Sequence, residues 1–269
     1  MPMDTRKPFM ILMASQKGGV GKTTLALNLA VALRINQNFR VLLVDEDTDS
    51  ASISEQLGIK AEGSGYQDVI SGKTDLKQAM FVYQPIDLYI IPANSSTEKF
   101  KPKLDDFIRF HSKLARLDYD FVIVDNMPGF FADEVARYFD DVAIVTTPDR
   151  ISAQGSSKMS EHCERHKLEH RLIINRFGSS KFDLERAEVE KMYGDLAFQI
   201  VPEDKIVEES VSKRRPAYLI DRTSDFSLAM DEVAGAYALK RRSGSIQSEF
   251  ERTTKPSFFE KLGKVFFGR

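Results

Sequence analysis

Between an apolar run at 9–14 and a helical pattern from Leu25, the segment Ser15-Gln16-Lys17-Gly18-Gly19-Val20-Gly21-Lys22-Thr23-Thr24 gathers three glycines, two lysines and two threonine hydroxyls. Strand, glycine loop and helix in that order can wrap a polyphosphate. The glycines let backbone N–H groups turn inward, the helix N-terminus adds the positive end of its dipole, and Lys22 can reach the outer phosphates. Thr23 supplies a hydroxyl of the kind that ligates Mg²⁺. Position 16 is Gln where the common G-x-x-x-x-G-K-[ST] loop opens with Gly, and Lys17 is a second lysine that loop geometry alone does not require. A glycine turn that binds nothing is the bland alternative, and the strand-to-helix setting argues against it.

Lys17 to Thr24 resembles the signature K-G-G-x-G-K-[ST]-[ST] of the deviant Walker A ATPases, the family that includes MinD and ParA proteins. The resemblance implies that Lys17, Gly18, Gly19, Val20, Gly21, Lys22, Thr23 and Thr24 hold ATP. It further implies a homodimer that forms only with ATP, in which Lys17 reaches the partner's phosphates. The likeness runs over about residues 8 to 240.

The elements that would position this loop read as an α/β chain. Short β-branched and aliphatic runs at 9–14, 40–44, 88–91, 121–124, 142–146, 171–175 and 196–201 mostly alternate with helical patterns. Continuous apolar runs predict strands buried on both faces, hence a single P-loop NTPase domain with a mostly parallel sheet between helices. Ligands of such sheets sit at the carboxyl ends of the strands, so the polar residues there are the ones to weigh. The chain has 269 residues, 42% hydrophobic and 29% charged, and its single cysteine, Cys163, excludes internal disulfides and an iron–sulfur cluster within one chain. No apolar run is long enough for a signal h-region or a membrane span, which predicts a cytoplasmic protein.

Two acidic segments follow strands. Asp45, Glu46, Asp47 and Asp49 stand after the second run, where carboxylates beside phosphate need a cation or a water. By resemblance Asp47 is the switch aspartate that orients the attacking water and Asp45 supports the magnesium shell; a solvated acidic turn is the alternative. Glu46 points to the other side of an extended chain and reads as structural. Asp125-Asn126-Met127-Pro128-Gly129 resembles the second switch, usually D-x-P-x-G or D-x-P-P-G, which implies that Asp125 holds a magnesium-bound water and that Gly129 offers its N–H to the γ-phosphate. Met127 departs from the usual proline. Asn175-Arg176 and Pro202-Glu203-Asp204 resemble the segments around adenine, with Asn175 able to pair with the base edge. The expected catalytic set is therefore Lys17, Lys22 and Asp47; the metal set is Thr23, Asp45 and Asp125; and Gly129, Asn175, Arg176, Pro202 and Asp204 complete the ATP site.

The end of the chain has another character. Residues 240–255 are polar and read as a tether after an ATPase domain at 1–240, with the linker proper at 241–255. Residues 256–269 follow as a helix. At ~100° per residue, Phe258, Phe259, Leu262, Val265 and Phe266 fall within roughly 120°. Residues 255–269 carry four basic groups and one acid, a net +3 that leaves −5 on the first 254 residues of a chain whose net is −2. A basic amphipathic helix of this kind can lie on an anionic membrane surface, and resembles the targeting helix of MinD; a final core helix is the alternative. His162, His166 and His170, spaced for a metal-binding helix face, sit among charges and read as a solvated helix. Lys213-Arg214-Arg215 and Lys240-Arg241-Arg242 are short basic runs on an acidic body, so DNA is not the expected partner. The composite expectation is a MinD-like ATPase using ATP and Mg²⁺. It would dimerise with ATP, dock on the inner face of the cell membrane and leave on hydrolysis stimulated by a protein activator. A ParA-type partition ATPase, favoured by Gln16, and a regulator of flagellar or pilus placement are the alternatives.

Overall fold

The structure, a computed structural model, describes residues 7–48, 51–59, 64–94, 102–129, 133–193 and 198–243. The elements run β1 (Phe9–Ala14), α1 (Lys22–Asn36), β2 (Val41–Asp45), α2 (Ser52–Leu57), α3 (Tyr66–Ile70), β3 (Phe81–Tyr83), β4 (Leu88–Ile91), α4 (Leu104–Leu114) and β5 (Phe121–Asp125). Then follow α5 (Asp133–Ala136), β6 (Asp141–Thr146), α6 (Arg150–Arg165), β7 (His170–Phe177), α7 (Arg186–Tyr193), β8 (Phe198–Pro202), α8 (Lys205–Lys213), α9 (Ala217–Ile220) and α10 (Asp225–Ser243).

The eight strands lie in the order β3-β4-β2-β5-β1-β6-β7-β8, and every adjacent pair is parallel except β3–β4. Alternation along β1 divides the interior in two. Phe9, Ile11 and Met13 pack with α1 and α10, whereas Met10, Leu12 and Ala14 pack with α3, α4, α6 and α7. Both faces are therefore dry, which is why the central strands read as unbroken apolar runs.

The expected strands are present, with shifted ends. β2 and β5 extend to Asp45 and Asp125, so each acid is the last residue of its strand rather than the first of a loop. β3 was not foreseen: it is a short edge strand, partly exposed and without alternation. The expected strand at 196–201 corresponds to β8, and residues 196–197 lie outside the described residues. Of the linker expected at 241–255, residues 241–243 form the end of α10, and 244–255 lie outside the described residues. The amphipathic segment at 256–269 lies outside the described residues. Among those residues no helix is long and apolar enough to cross a membrane.

The far end of α10 is clamped to the sheet. Asp141, at the start of β6, accepts from Arg171 Nε and Nη2 at 3.0 and 2.9 Å, from the Tyr237 hydroxyl at 2.9 Å and from Lys240 Nζ at 2.9 Å. Lys240 is thus part of an interior ion cluster, not of a free basic patch, and Lys213 pairs with Glu209. At the other end, Phe226 N donates to Asp204 Oδ2 at 3.1 Å. α10 therefore runs from the carboxyl ends of the strands to their opposite pole.

Candidate functional site

The glycine loop links β1 to α1 at the carboxyl end of the sheet. Gly21 caps α1 at φ +87°, a conformation costly for any side chain, and a Cβ there would stand 2.2 Å from Asn175 Nδ2. Gly19 also adopts a positive φ of +79°. Together they turn the loop around a cleft of about 420 Å³ whose lining includes Lys17, Lys22, Thr23, Asp47, Pro128 and Arg176.

The two lysines occupy opposite settings. Lys22 is buried and ion-pairs with Asp125, which is fully buried. Lys17 is exposed at the mouth and also borders an adjoining hollow with Thr147, Asp149, Ser152 and Asp183. Asp149 caps α6 through Ser152 N at 3.0 Å. Partial burial pushes its carboxyl up, but bonds from Ser152 and Thr147 and the charge of Lys17 prevail and hold it at about 2.

The cleft floor is acidic. Asp45 and Asp125 are paired across β2 and β5, and burial raises both above the usual carboxylate range. Their mutual repulsion adds to the rise at Asp45; Lys22 and the Thr23 hydroxyl offset part of it at Asp125. Asp45 Oδ1 and Oδ2 accept from Asp47 N at 3.0 Å and Ile53 N at 3.1 Å. Asp125 Oδ2 and Ser15 Oγ are buried with no hydrogen-bond partner. Two carboxyls forced up by burial, an orphaned carboxylate oxygen and the Thr23 hydroxyl make a donor set that fits a hard divalent cation with its waters. The expected roles shift in detail, since Asp45 is engaged in shaping the segment that carries Asp47, and Asp125 holds Lys22 and Thr23.

Gly129 joins the second switch to the glycine loop. Its N–H donates to Ser15 O at 2.8 Å, which closes the second switch onto the glycine loop, so a phosphate contact requires that bond to be exchanged. Its φ of +72° makes glycine the residue for that bend.

A second hollow of about 240 Å³ joins Gly21, Thr24, Asn175, Arg176, Pro202 and Asp204. Asn175 Nδ2 donates to Val20 O at 2.8 Å, which leaves its Oδ1 as an acceptor suited to an exocyclic amine. Asp204 also lines this hollow, and its two oxygens accept from Ile206 N at 3.0 Å and Phe226 N at 3.1 Å. Arg176, at φ +58° where the β7–β8 register shifts, lies 3.9 Å from Glu203 and lines both hollows. Residues not foreseen include Gln56 and Ser52 in the cleft and Phe226 in the second hollow; only the fold brings them there.

Glu46 turns away from the cleft into the interior, as expected, where it meets His111, which the sequence did not single out. The rings of His162 and His166 lie 4.5 Å apart, tilted by 33°, whereas His170 lies on β7 with Nε2 2.9 Å from Ser160 Oγ, so the three do not form one helix face. Among the described residues no cluster of three or more His, Cys, Asp or Glu is placed to hold a metal by itself.

Residues 11–217 match the CobQ/CobB/MinD/ParA nucleotide binding domain. The chain belongs to that family. It is similar to an uncharacterized ATP-binding protein of Methanocaldococcus jannaschii, 27% identical over 263 residues, 96% of this chain and 98% of the relative. It is 27% identical to the flagellum site-determining protein YlxH of Helicobacter pylori over 94% of this chain and 89% of that protein. Among solved structures, the septum site-determining protein MinD of Pyrococcus horikoshii, complexed with Mg-ADP, superposes with a TM-score of 0.72 at 25% identity, covering 84% of this chain and 93% of that one. As a MinD/ParA protein, the chain carries the family's nucleotide-binding domain on an eight-stranded sheet.

Proposed function

We propose that the chain is a Mg²⁺-dependent ATPase of MinD type, whose ATP-bound form is a homodimer docked on an anionic membrane. The observation that carries this reading is the pair of lysines, one on the cleft floor and one exposed at its mouth. Lys22 and the inward N–H groups of the loop bind the β- and γ-phosphates. Bound Mg²⁺ draws charge from those phosphates, and Thr23, Asp45 and Asp125 are the residues to hold it and its waters. Asp47, on the cleft wall, orients the attacking water. Lys17 is exposed where a second copy can close over the nucleotide, and there it stabilises the partner's phosphates. Exchange of the Gly129–Ser15 bond for a phosphate contact gives the second switch a way to sense the γ-phosphate.

Membrane attachment is assigned to Phe258, Phe259, Leu262, Val265 and Phe266. One such segment binds weakly, and two on a dimer bind together. The cellular task is spatial positioning, as at a division site, and hydrolysis stimulated by a protein activator returns the chain to the cytoplasm. The YlxH relative favours flagellar placement as a second reading with the same chemistry. Co-sedimentation with anionic liposomes in ATP or ADP, comparing the full chain with one ending at Lys255, tests the proposal. ATP-dependent pelleting that vanishes on truncation supports it; pelleting independent of nucleotide or of the tail refutes it.

A further inference from the structure

Glu46 stands between the two acids of the first switch, yet its side chain leaves the cleft. It is 2% exposed, and its Oε1 lies 3.0 Å from Nε2 of His111 on α4, itself fully buried. On the other side of the imidazole, Nδ1 is 2.8 Å from the carbonyl oxygen of Phe107. A carbonyl only accepts, so Nδ1 carries the proton and Nε2 is the ring nitrogen that faces Glu46. The buried Tyr66 hydroxyl, from α3, faces Glu46: burial first, and then the nearby carboxylate, hold the phenol well above its ordinary range. Phe107, Phe110 and Phe139 stand around the imidazole with ring centroids 6.4, 5.4 and 5.3 Å away. The backbone of Glu46 ties the two switches together: its N–H donates to Asp125 O at 2.9 Å, and its carbonyl accepts from Thr48 N at 3.0 Å.

We propose that Glu46, His111 and Tyr66 are positioning residues for the hydrolytic step, a buried mooring on α3 and α4 that fixes the orientation of Asp45 and Asp47. Side chains alternate along an extended segment, so rotation that frees Glu46 turns both neighbouring carboxylates away from their places. The proposal rests on the reading of the chain as an ATPase and adds residues that never touch the nucleotide.

The two substitutions at Glu46 separate mooring from mere packing. Glu46→Gln keeps a polar group of the same shape against both His111 and Tyr66; Glu46→Leu keeps the volume and loses the polar contact with both. In single-turnover hydrolysis by the full chain, Glu46→Leu lowers the rate by about tenfold or more while nucleotide Kd moves less than about twofold. Glu46→Gln restores most of the rate. Tyr66→Phe, which removes one donor and opens no cavity, lowers the rate severalfold and keeps the test open should Glu46→Leu not fold. A folded Glu46→Leu protein with native rate, a Tyr66→Phe protein with native rate, or loss of rate and affinity in parallel overturns the mooring. If the native chain binds ATP without hydrolysing it, the proposed function fails, and amide exchange at Asp47 and Ile53 decides the mooring instead. Faster exchange in Glu46→Leu than in Glu46→Gln supports it, and equal protection overturns it.

Discussion

Lys17 and Lys22 are five residues apart and chemically alike, but burial separates their tasks. Lys22→Ala removes the cation from the cleft floor and leaves Asp125 buried without its partner, so nucleotide binding is abolished, as titration with a fluorescent ATP analogue will read. Lys17→Ala leaves an exposed position and keeps nucleotide binding near native. Light scattering with ATP and Mg²⁺ is then expected to find monomers where the proposed cycle gives dimers of the native chain. Asp47→Ala is expected to preserve nucleotide-loaded dimers and stop turnover; normal turnover in that variant would falsify the assigned water-orienting role. Gly21→Ala meets both a strained φ and Asn175 Nδ2, a combination worth about 1–3 kcal/mol in chemical denaturation. The glycine loop was legible in the sequence because its glycines and lysines are fixed by local chemistry. The capping of two helices by Asp204 was not legible, because only the fold brings Phe226 N, twenty-two positions on, beside the carboxylate that also accepts from Ile206 N.

At the scale of elements, strands buried on both faces announce themselves by unbroken apolar runs, and all seven expected ones occur. β3 escaped because an edge strand with one exposed and two half-buried residues carries no such signal. The pairing of Glu46 with His111 escaped for another reason, since sixty-five positions separate them and only the packing of α4 on β2 brings them together. The clamp on α10 belongs to this scale as well. Burial alone would push the Asp141 carboxyl up, yet Arg171 and Lys240 hold it below its ordinary 3.8. A depressed carboxylate contributes stability that is full above its unfolded value and is lost as pH falls through the folded one. Asp141→Asn removes the carboxylate that Arg171 and Lys240 share, leaves Glu169 3.7 Å from Lys240, and costs about 3 kcal/mol or more at neutral pH. Thermal melts should show the gap between native and Asp141→Asn proteins narrowing as pH drops below about 4.

Across the whole molecule, the nucleotide cleft and the end of α10 lie at opposite poles of the sheet, joined by a helix of 19 residues, about 28 Å long. A chain ending at Ser243 is expected to keep the native melting temperature and nucleotide affinity, with calorimetry and analogue binding as the measurements, and to lose ATP-dependent pelleting with liposomes. The two apolar clusters of the interior draw on residues up to Tyr237, and Lys240 closes the ion cluster beneath them. Among the described residues, the apolar side chains of both clusters lie before Ser243. Asp141 thus works as a latch: one carboxylate at the head of β6 gathers a strand, β7, and the last turns of a helix, α10, at the pole of the sheet away from the nucleotide cleft.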